Sequence, residues 1–233
     1  MFLNKKVWIV GGTHGIGKAL DAELTRLGAK VISSGRSAAK YQLDVNNVAQ
    51  IKEAQQQIIK DFGEIDILVY ASGVYKPMSC VDFKLEEAIE ISRTNFEGAL
   101  NVLSVMTPYF VKKESGHIAI ISSIAGYFGL PNSIAYSASK AALISMCETL
   151  KIELRHHHIK VQMINPGFVK TRLTDKNDFP MPFIIESREA AQIIARGLDS
   201  NKFEIHFPKR LTYIFKFLYL LPRRIRIFLL SLI

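Results

Sequence analysis

The feature that most constrains this chain lies near its start. An apolar run, Val7-Trp8-Ile9-Val10, stops at Gly11-Gly12-Thr13-His14-Gly15-Ile16-Gly17, and helical spacing follows at once through Leu20, Leu24 and Leu27. A short apolar run closed by glycines reads as a buried strand, and leucines three and four apart read as one face of a helix. Gly28 stands where that helix should stop, and Val31–Ser34 is a second strand. Further strands are expected near 41–45, 65–70, 117–122, 160–165 and 203–207, with helices near 16–27, 48–62, 85–110, 134–155 and 187–198. Such alternation requires right-handed crossovers and builds a parallel sheet covered on both faces.

The fold expected is therefore α/β, a single Rossmann-type, doubly wound parallel sheet of about seven strands. Residues 1–207 form the dinucleotide-binding catalytic domain and 208–233 a helical extension. One crossover is short. About six residues separate the second strand from the next, whereas a helical crossover needs ~10–12. The second helix is expected to be absent, leaving that side of the sheet thinly covered. With 233 residues, 48% hydrophobic and 22% charged, the chain can bury a sizeable core and is not of disordered composition. Cys80 and Cys147 are its two cysteines, which fits a reducing compartment. Residues 1–6 contain no signal-like apolar stretch, and no run is long enough for a conventional spanning helix, so a cytoplasmic location is expected.

The glycine turn suits a phosphate. Gly11 permits the tight turn, and Gly15 and Gly17 let backbone approach a pyrophosphate. Thr13 and His14 lie within the turn, and the first N–H groups of the helix opening at Ile16 face the phosphates. A ligand-free glycine turn is the alternative. The end of the second strand sets nucleotide choice. An acid there would bond the ribose hydroxyls of NAD and repel a 2′-phosphate. After Glu23 the next acid is Asp44, and the strand instead runs into Gly35-Arg36-Ser37. Arg36 can hold a phosphate through charge-assisted hydrogen bonds, so NADP(H) is expected over NAD(H).

Tyr136-Ser137-Ala138-Ser139-Lys140 opens a helix and puts Tyr136 and Lys140 one turn apart on one face. Ser123 ends a strand thirteen residues before the tyrosine. With the glycine turn, Asn95, Leu43-Asp44-Val45 and Asn165-Pro166-Gly167-Phe168-Val169-Lys170-Thr171, this arrangement resembles the short-chain dehydrogenase/reductase family over roughly residues 5–200. Reducing a carbonyl builds negative charge on oxygen, which needs a hydrogen-bond donor and then a proton. Tyr136 is the proton donor on this reading. Lowering a phenol from ~10 by two or three units takes about 3–4 kcal/mol, a field that Lys140 and a nicotinamide cation can supply. Ser123 donates to the substrate oxygen. The resemblance implies that Lys140 also binds the nicotinamide ribose and that Asn95 holds a water linking Lys140 to solvent. It further implies cofactor contacts from Asp44, Val45 and Gly73, and from Pro166, Gly167, Val169 and Thr171 beside the nicotinamide. Two departures stand out. The family's Asn-Asn-Ala-Gly is Tyr70-Ala71-Ser72-Gly73 here, with Ser72 expected to replace the missing amide brace, and the threonine before Gly11 is Val10.

Tyr75, Pro77, Met78, Tyr127, Phe128, Leu130, Phe168, Phe179, Met181 and Phe183 are expected to rim a site for a lipophilic carbonyl or alcohol. The tail carries Lys209, Arg210, Lys216, Arg223, Arg224 and Arg226 and no acid, six of the chain's nine net positive charges. Lys209, Thr212, Lys216, Tyr219, Arg223 and Arg226 form a narrow polar stripe on an apolar cylinder that Pro222 should split in two. This pattern points to peripheral contact of 209–233 with an anionic membrane at its inner face, the stripe turned to the headgroups. The alternative is burial against the domain, which six cations without an acid would oppose. No nucleic acid is expected. His156-His157-His158 splay about 100° apart on a helix, and no metal site is expected. The helices at 85–110 and 134–155 are the family's usual homodimer faces. A 3-oxoacyl carrier-protein reductase and a non-catalytic nucleotide-sensing scaffold are the alternative functions.

Overall fold

The computed structural model of the protein describes residues 2–37 and 39–232. Seven strands form one all-parallel sheet: β1 (Lys6–Val10), β2 (Lys30–Gly35), β3 (Tyr41–Gln42), β4 (Ile67–Tyr70), β5 (Gly116–Ile121), β6 (Ile159–Pro166) and β9 (Glu204–Phe207). Their order is β3-β2-β1-β4-β5-β6-β9, so the winding reverses between β1 and β4. A short pair, β7 (Val169–Lys170) with β8 (Ile185–Glu186), stands apart. The helices are α1 (Gly15–Arg26), α2 (Val48–Phe62), α3 (Leu85–Ser92), α4 (Gly98–Lys113), α5 (Ile134–Glu153), α6 (Ser187–Asp199), α7 (Lys209–Leu220) and α8 (Arg223–Leu230).

Strand alternation divides the core in two. Trp8, Val10, Leu68, Tyr70, Ile118 and Ile120 face α2, α4 and α5. Val7, Ile9, Val69, Ala119 and Ile121 face α1 and α6. Each large side chain so buried contributes roughly 1.5–3 kcal/mol of transfer free energy. Trp8 is fully buried, and its indole N–H is satisfied by Ser34 Oγ at 2.8 Å.

Among the described residues no helix links β2 to β3, and Arg36 and Ser37 lie in an exposed connection. One expected element is corrected. The single helix at 85–110 is two helices joined by a π-helical turn, Arg93–Glu97, and the second runs on to Lys113. The π turn buries Asn95 completely, and such turns concentrate at functional sites. The three consecutive histidines follow α5 in a 3-10 turn, with His158 at φ 54°, and all are exposed.

The tail forms two helices broken at Pro222, but the α7 part of its polar stripe turns toward β9, while Tyr219 and Arg223 stay exposed. Thr212 is buried and shares a hydrogen bond of 2.7 Å with His206 Nδ1, and Lys209 Nζ lies 3.0 Å from His206 Nε2. Lys216 pairs with Glu204, which also accepts from Tyr127 and from Asn165. Burial by itself would raise the Glu204 carboxyl, but the bonds from Lys216, Tyr127 and Asn165 outweigh it and hold it below the usual range. The expectation that the whole stripe faces headgroups is thus corrected at Lys216, whose acid is supplied by β9.

Candidate active site

At the carboxyl ends of β1, β2, β4, β5 and β6 lies a groove of about 700 Å³, bordering the point where the winding reverses. Ligands of open α/β sheets bind in this crevice. Its walls include Gly11, Thr13, His14, Gly15, Ile16, Gly17, Arg36, Ser37, Asp44, Val45, Gly73, Ser123, Tyr136, Lys140, Pro166, Gly167, Val169 and Thr171. Charge and hydroxyl at Arg36 and Ser37 mark one end, and Ser123, Tyr136 and Lys140 mark the other.

The glycine turn keeps the floor of the groove at backbone level. Gly11 has φ +92°, and a β-carbon there would stand 2.5 Å from the Ser72 nitrogen. No side chain caps the N-terminus of α1 and no acid stands in its first turn, so its leading N–H groups are open to an anion. A dinucleotide therefore fits the residues present. Ser72 lines the groove but no hydrogen bond of its hydroxyl is found among the described residues. The strand is joined instead by Ala71 N–H to Val10 O at 2.8 Å.

The reacting end is set by how closely α5 meets β5. After Ser123 the chain makes a 3-10 turn, Ile124–Gly126, and a β-carbon on Gly126 would come within 2.7 Å of the Lys140 carbonyl. Only glycine admits that approach. Ser122 Oγ donates to the same carbonyl at 2.8 Å, fixing the helix in height. Ser123 Oγ accepts from Ala125 N–H at 3.1 Å and lies 3.4 Å from the Pro166 carbonyl. Tyr75 packs edge-on against the Tyr136 ring, centroids 4.8 Å apart. Lys140, 4% exposed, donates to the Ile121 carbonyl at 3.0 Å, with its ammonium 5.6 Å from the Tyr136 ring centre.

Burial governs both titrations. It raises the Tyr136 phenol to about 12, against the opposing bond from Ser123. It lowers the Lys140 ammonium to about 8. Tyr136 is accordingly a protonated phenol over the whole physiological range, ready to give a proton.

Asn95 stands one layer behind the wall. Its amide N–H groups donate to Val74 O and Ser139 Oγ, each at 3.0 Å, and its oxygen accepts Val74 N–H at 2.7 Å. It clamps the backbone next to Gly73 rather than facing the groove. Several expected rim residues are engaged elsewhere. Tyr127 turns to Glu204, Phe128 stacks on Phe215 of α7 with centroids 5.3 Å apart, and Met78 is buried at 4% exposure. The tail took Tyr127, beside Tyr219, and Phe128, and its position was not legible in their spacing. Phe168 and Phe179 do pair, with centroids 6.0 Å apart. Sequence reading missed Val74, Thr94, Arg172, Leu173 and Lys176, which also line the groove. Lys176 spans it, donating to the Tyr75 carbonyl at 2.8 Å. Arg172 follows Thr171 directly, so extending the Asn165–Thr171 motif by one residue would have found it.

This chain belongs to the short-chain dehydrogenases, whose family model matches residues 5–180. It is thus an NAD(P)-dependent oxidoreductase of the kind acting on CH–OH and C=O groups. It is 33% identical over 220 residues to an uncharacterized oxidoreductase of Myxococcus xanthus, covering 87% of each chain. It is 32% identical over 194 residues to the 3-oxoacyl-[acyl-carrier-protein] reductase of Thermotoga maritima, covering 76% of this chain and 79% of the relative. A short chain dehydrogenase from Burkholderia cenocepacia, solved in complex with NADP, has the same fold at 23% identity, with a TM-score of 0.84 and 93% of each chain covered.

Proposed function

We propose that the protein is an NADP(H)-dependent reductase of a lipophilic carbonyl, with residues 1–207 as the catalytic unit. The observation that carries this reading is the convergence of Ser123, Tyr136 and Lys140 at one end of a groove whose other end presents Arg36 and Ser37. Arg36, Ser37 and His14 hold the 2′-phosphate, the N-terminus of α1 the pyrophosphate, and Asp44 and Val45 border the adenine. Gly73 and the Pro166–Thr171 segment bound the nicotinamide, whose ribose Lys140 binds. When bound, the reduced nucleotide supplies a hydride, with both electrons, to the carbonyl carbon. Ser123 donates a hydrogen bond to the carbonyl oxygen, and Tyr136 gives that oxygen its proton, completing the alcohol. Lys140 stabilises the phenolate left behind, and Asn95 positions the wall beside it.

A homodimer is part of this reading, supported by an apolar groove between α3 and α5 lined by Phe83, Ile89, Phe96 and Ile134. So is a reducing, cytoplasmic setting, with Cys80 and Cys147 both free thiols, and peripheral membrane contact through 209–233. The Thermotoga relative supports a second reading, reduction of 3-oxoacyl groups on an acidic carrier. Activity on carrier-bound but not free substrates would select it.

The cofactor assignment is tested by calorimetry with NADPH and NADH. NADPH is expected to bind tighter. Arg36→Ala should weaken NADPH by about 10- to 100-fold, as loss of a charge-assisted phosphate contact does, and leave NADH within about threefold. An equal loss for both nucleotides would refute the assignment.

A further inference from the structure

With Thr212 and Lys216 turned toward β9, several of the tail's large apolar side chains stand in solvent. Phe217, Leu220, Ile227 and Phe228 are 63%, 81%, 59% and 63% exposed. Monomeric surfaces scatter such residues singly, and clusters mark a contact surface. α7 begins where β9 ends, so it stands at the same end of the sheet as Ser123 and Tyr136. It packs on both segments that border the reacting end. Leu211 lies against Gly167, where a β-carbon would be 2.8 Å away, and Phe215 stacks on Phe128. At the same end the 177–184 segment, which continues from the groove wall at Lys176, exposes Phe179 and Phe183.

Charge selects the occupant. Lys216 is spent on Glu204, and Arg226 lies over Phe128, 5.2 Å from its ring centre. Arg210, Arg223 and Arg224 remain exposed, and residues 208–233 contain no acid. A two-fold contact of this face with its own copy would set these arginines against one another. An anionic bilayer meets both features at once, taking the apolar side chains into its interfacial layer and the guanidinium groups at its headgroups.

We infer that this edge is a bilayer-docking face formed by the apolar side of α7 and α8 with Phe179 and Phe183, and that the substrate is a long-chain carbonyl lipid taken directly from the membrane. The substrate half rests on the oxidoreductase reading above. Docking by this edge brings the reacting end of the groove to the lipid, so the chain need not be extracted through water.

The test uses the full chain and a Phe217→Glu/Leu220→Glu/Phe228→Glu variant, whose substitutions are all at exposed positions. Wild type is expected to sediment with phosphatidylcholine–phosphatidylglycerol vesicles and to be released by salt, whereas the variant should bind at least about 10-fold more weakly. The variant should reduce hexadecanal embedded in those vesicles at least about 10-fold more slowly, yet reduce hexanal in water at the wild-type rate. Wild type remaining in the supernatant, or equal rates on the embedded aldehyde, would overturn the inference. So would a matching loss on hexanal, which would mark the substitutions as structural. A change from dimer to monomer in the variant would assign the face to self-association and overturn it too. Reduction of neither aldehyde, with vesicle binding intact, would strike down the lipophilic-carbonyl reading and the substrate half with it, while the docking face stood on its own measurement.

Discussion

Replacing Tyr136 by phenylalanine is expected to lower kcat for carbonyl reduction by about 10³-fold, within the range general acids contribute, while NADPH affinity stays within about threefold. The substitution removes one oxygen. The ring keeps its edge-on contact with Tyr75, and the helix keeps its tie through Ser122 to the Lys140 carbonyl. What disappears is the phenol that lines the groove together with Ser123 and Lys140. Single-turnover oxidation of bound NADPH, with affinity measured separately, checks this result. An unchanged rate would end the catalytic assignment of the tyrosine.

The second large effect belongs to Lys140. Changing it to methionine should reduce kcat/KM by about 10²- to 10³-fold, the cost of losing a charge that stabilises the phenolate as it forms. Its titration gives the pH dependence a sign. The active form is the ammonium, which burial holds to a pKa of about 8 in the free protein. The phenol, raised to about 12, stays protonated throughout. For carbonyl reduction kcat/KM should therefore be level up to pH ~7.5 and fall with rising pH through about 8, a limb absent from the methionine variant. Stability should move the other way. A lysine whose pKa drops from 10.5 to about 8 on folding binds fewer protons folded than unfolded between those values. Its buried charge thus destabilises the fold below pH 8 by about 3 kcal/mol, a cost relieved as pH rises toward 10.5. Lys140→Met should raise Tm at neutral pH by about 6–12 °C, less whatever the unpaired Ile121 carbonyl costs, and the gain should shrink above pH 10. Thermal melts at pH 7 and pH 10 read the difference directly.

The α/β alternation, the parallel sheet, the short connection between β2 and β3 and the positions of many groove-lining residues were legible in residues 5–171, because strand, turn and helix signals are local. Val7–Val10 and Ile118–Ile121 are short apolar runs ending at turn signals, and the Tyr136–Lys140 spacing is a helical period. Helix continuity at 85–110 was not legible, since the periodicity continues across the π turn that buries Asn95. Nor was the role of Ser72, which depends on where a neighbouring strand's carbonyl falls.

By itself the sequence determined the sheet, its glycine cradle and which hydroxyl, phenol and ammonium could meet. Each of those depends on residues within one element or on the order of elements. Only the tertiary structure decided which way the tail faces. Lys216 finds its acid in Glu204, on a strand outside the tail, and a periodic stripe carries no sign saying whether water or another element of the fold lies opposite. The long-range pairing turned Lys216 inward and left large apolar side chains of α7 and α8 to meet whatever comes from outside.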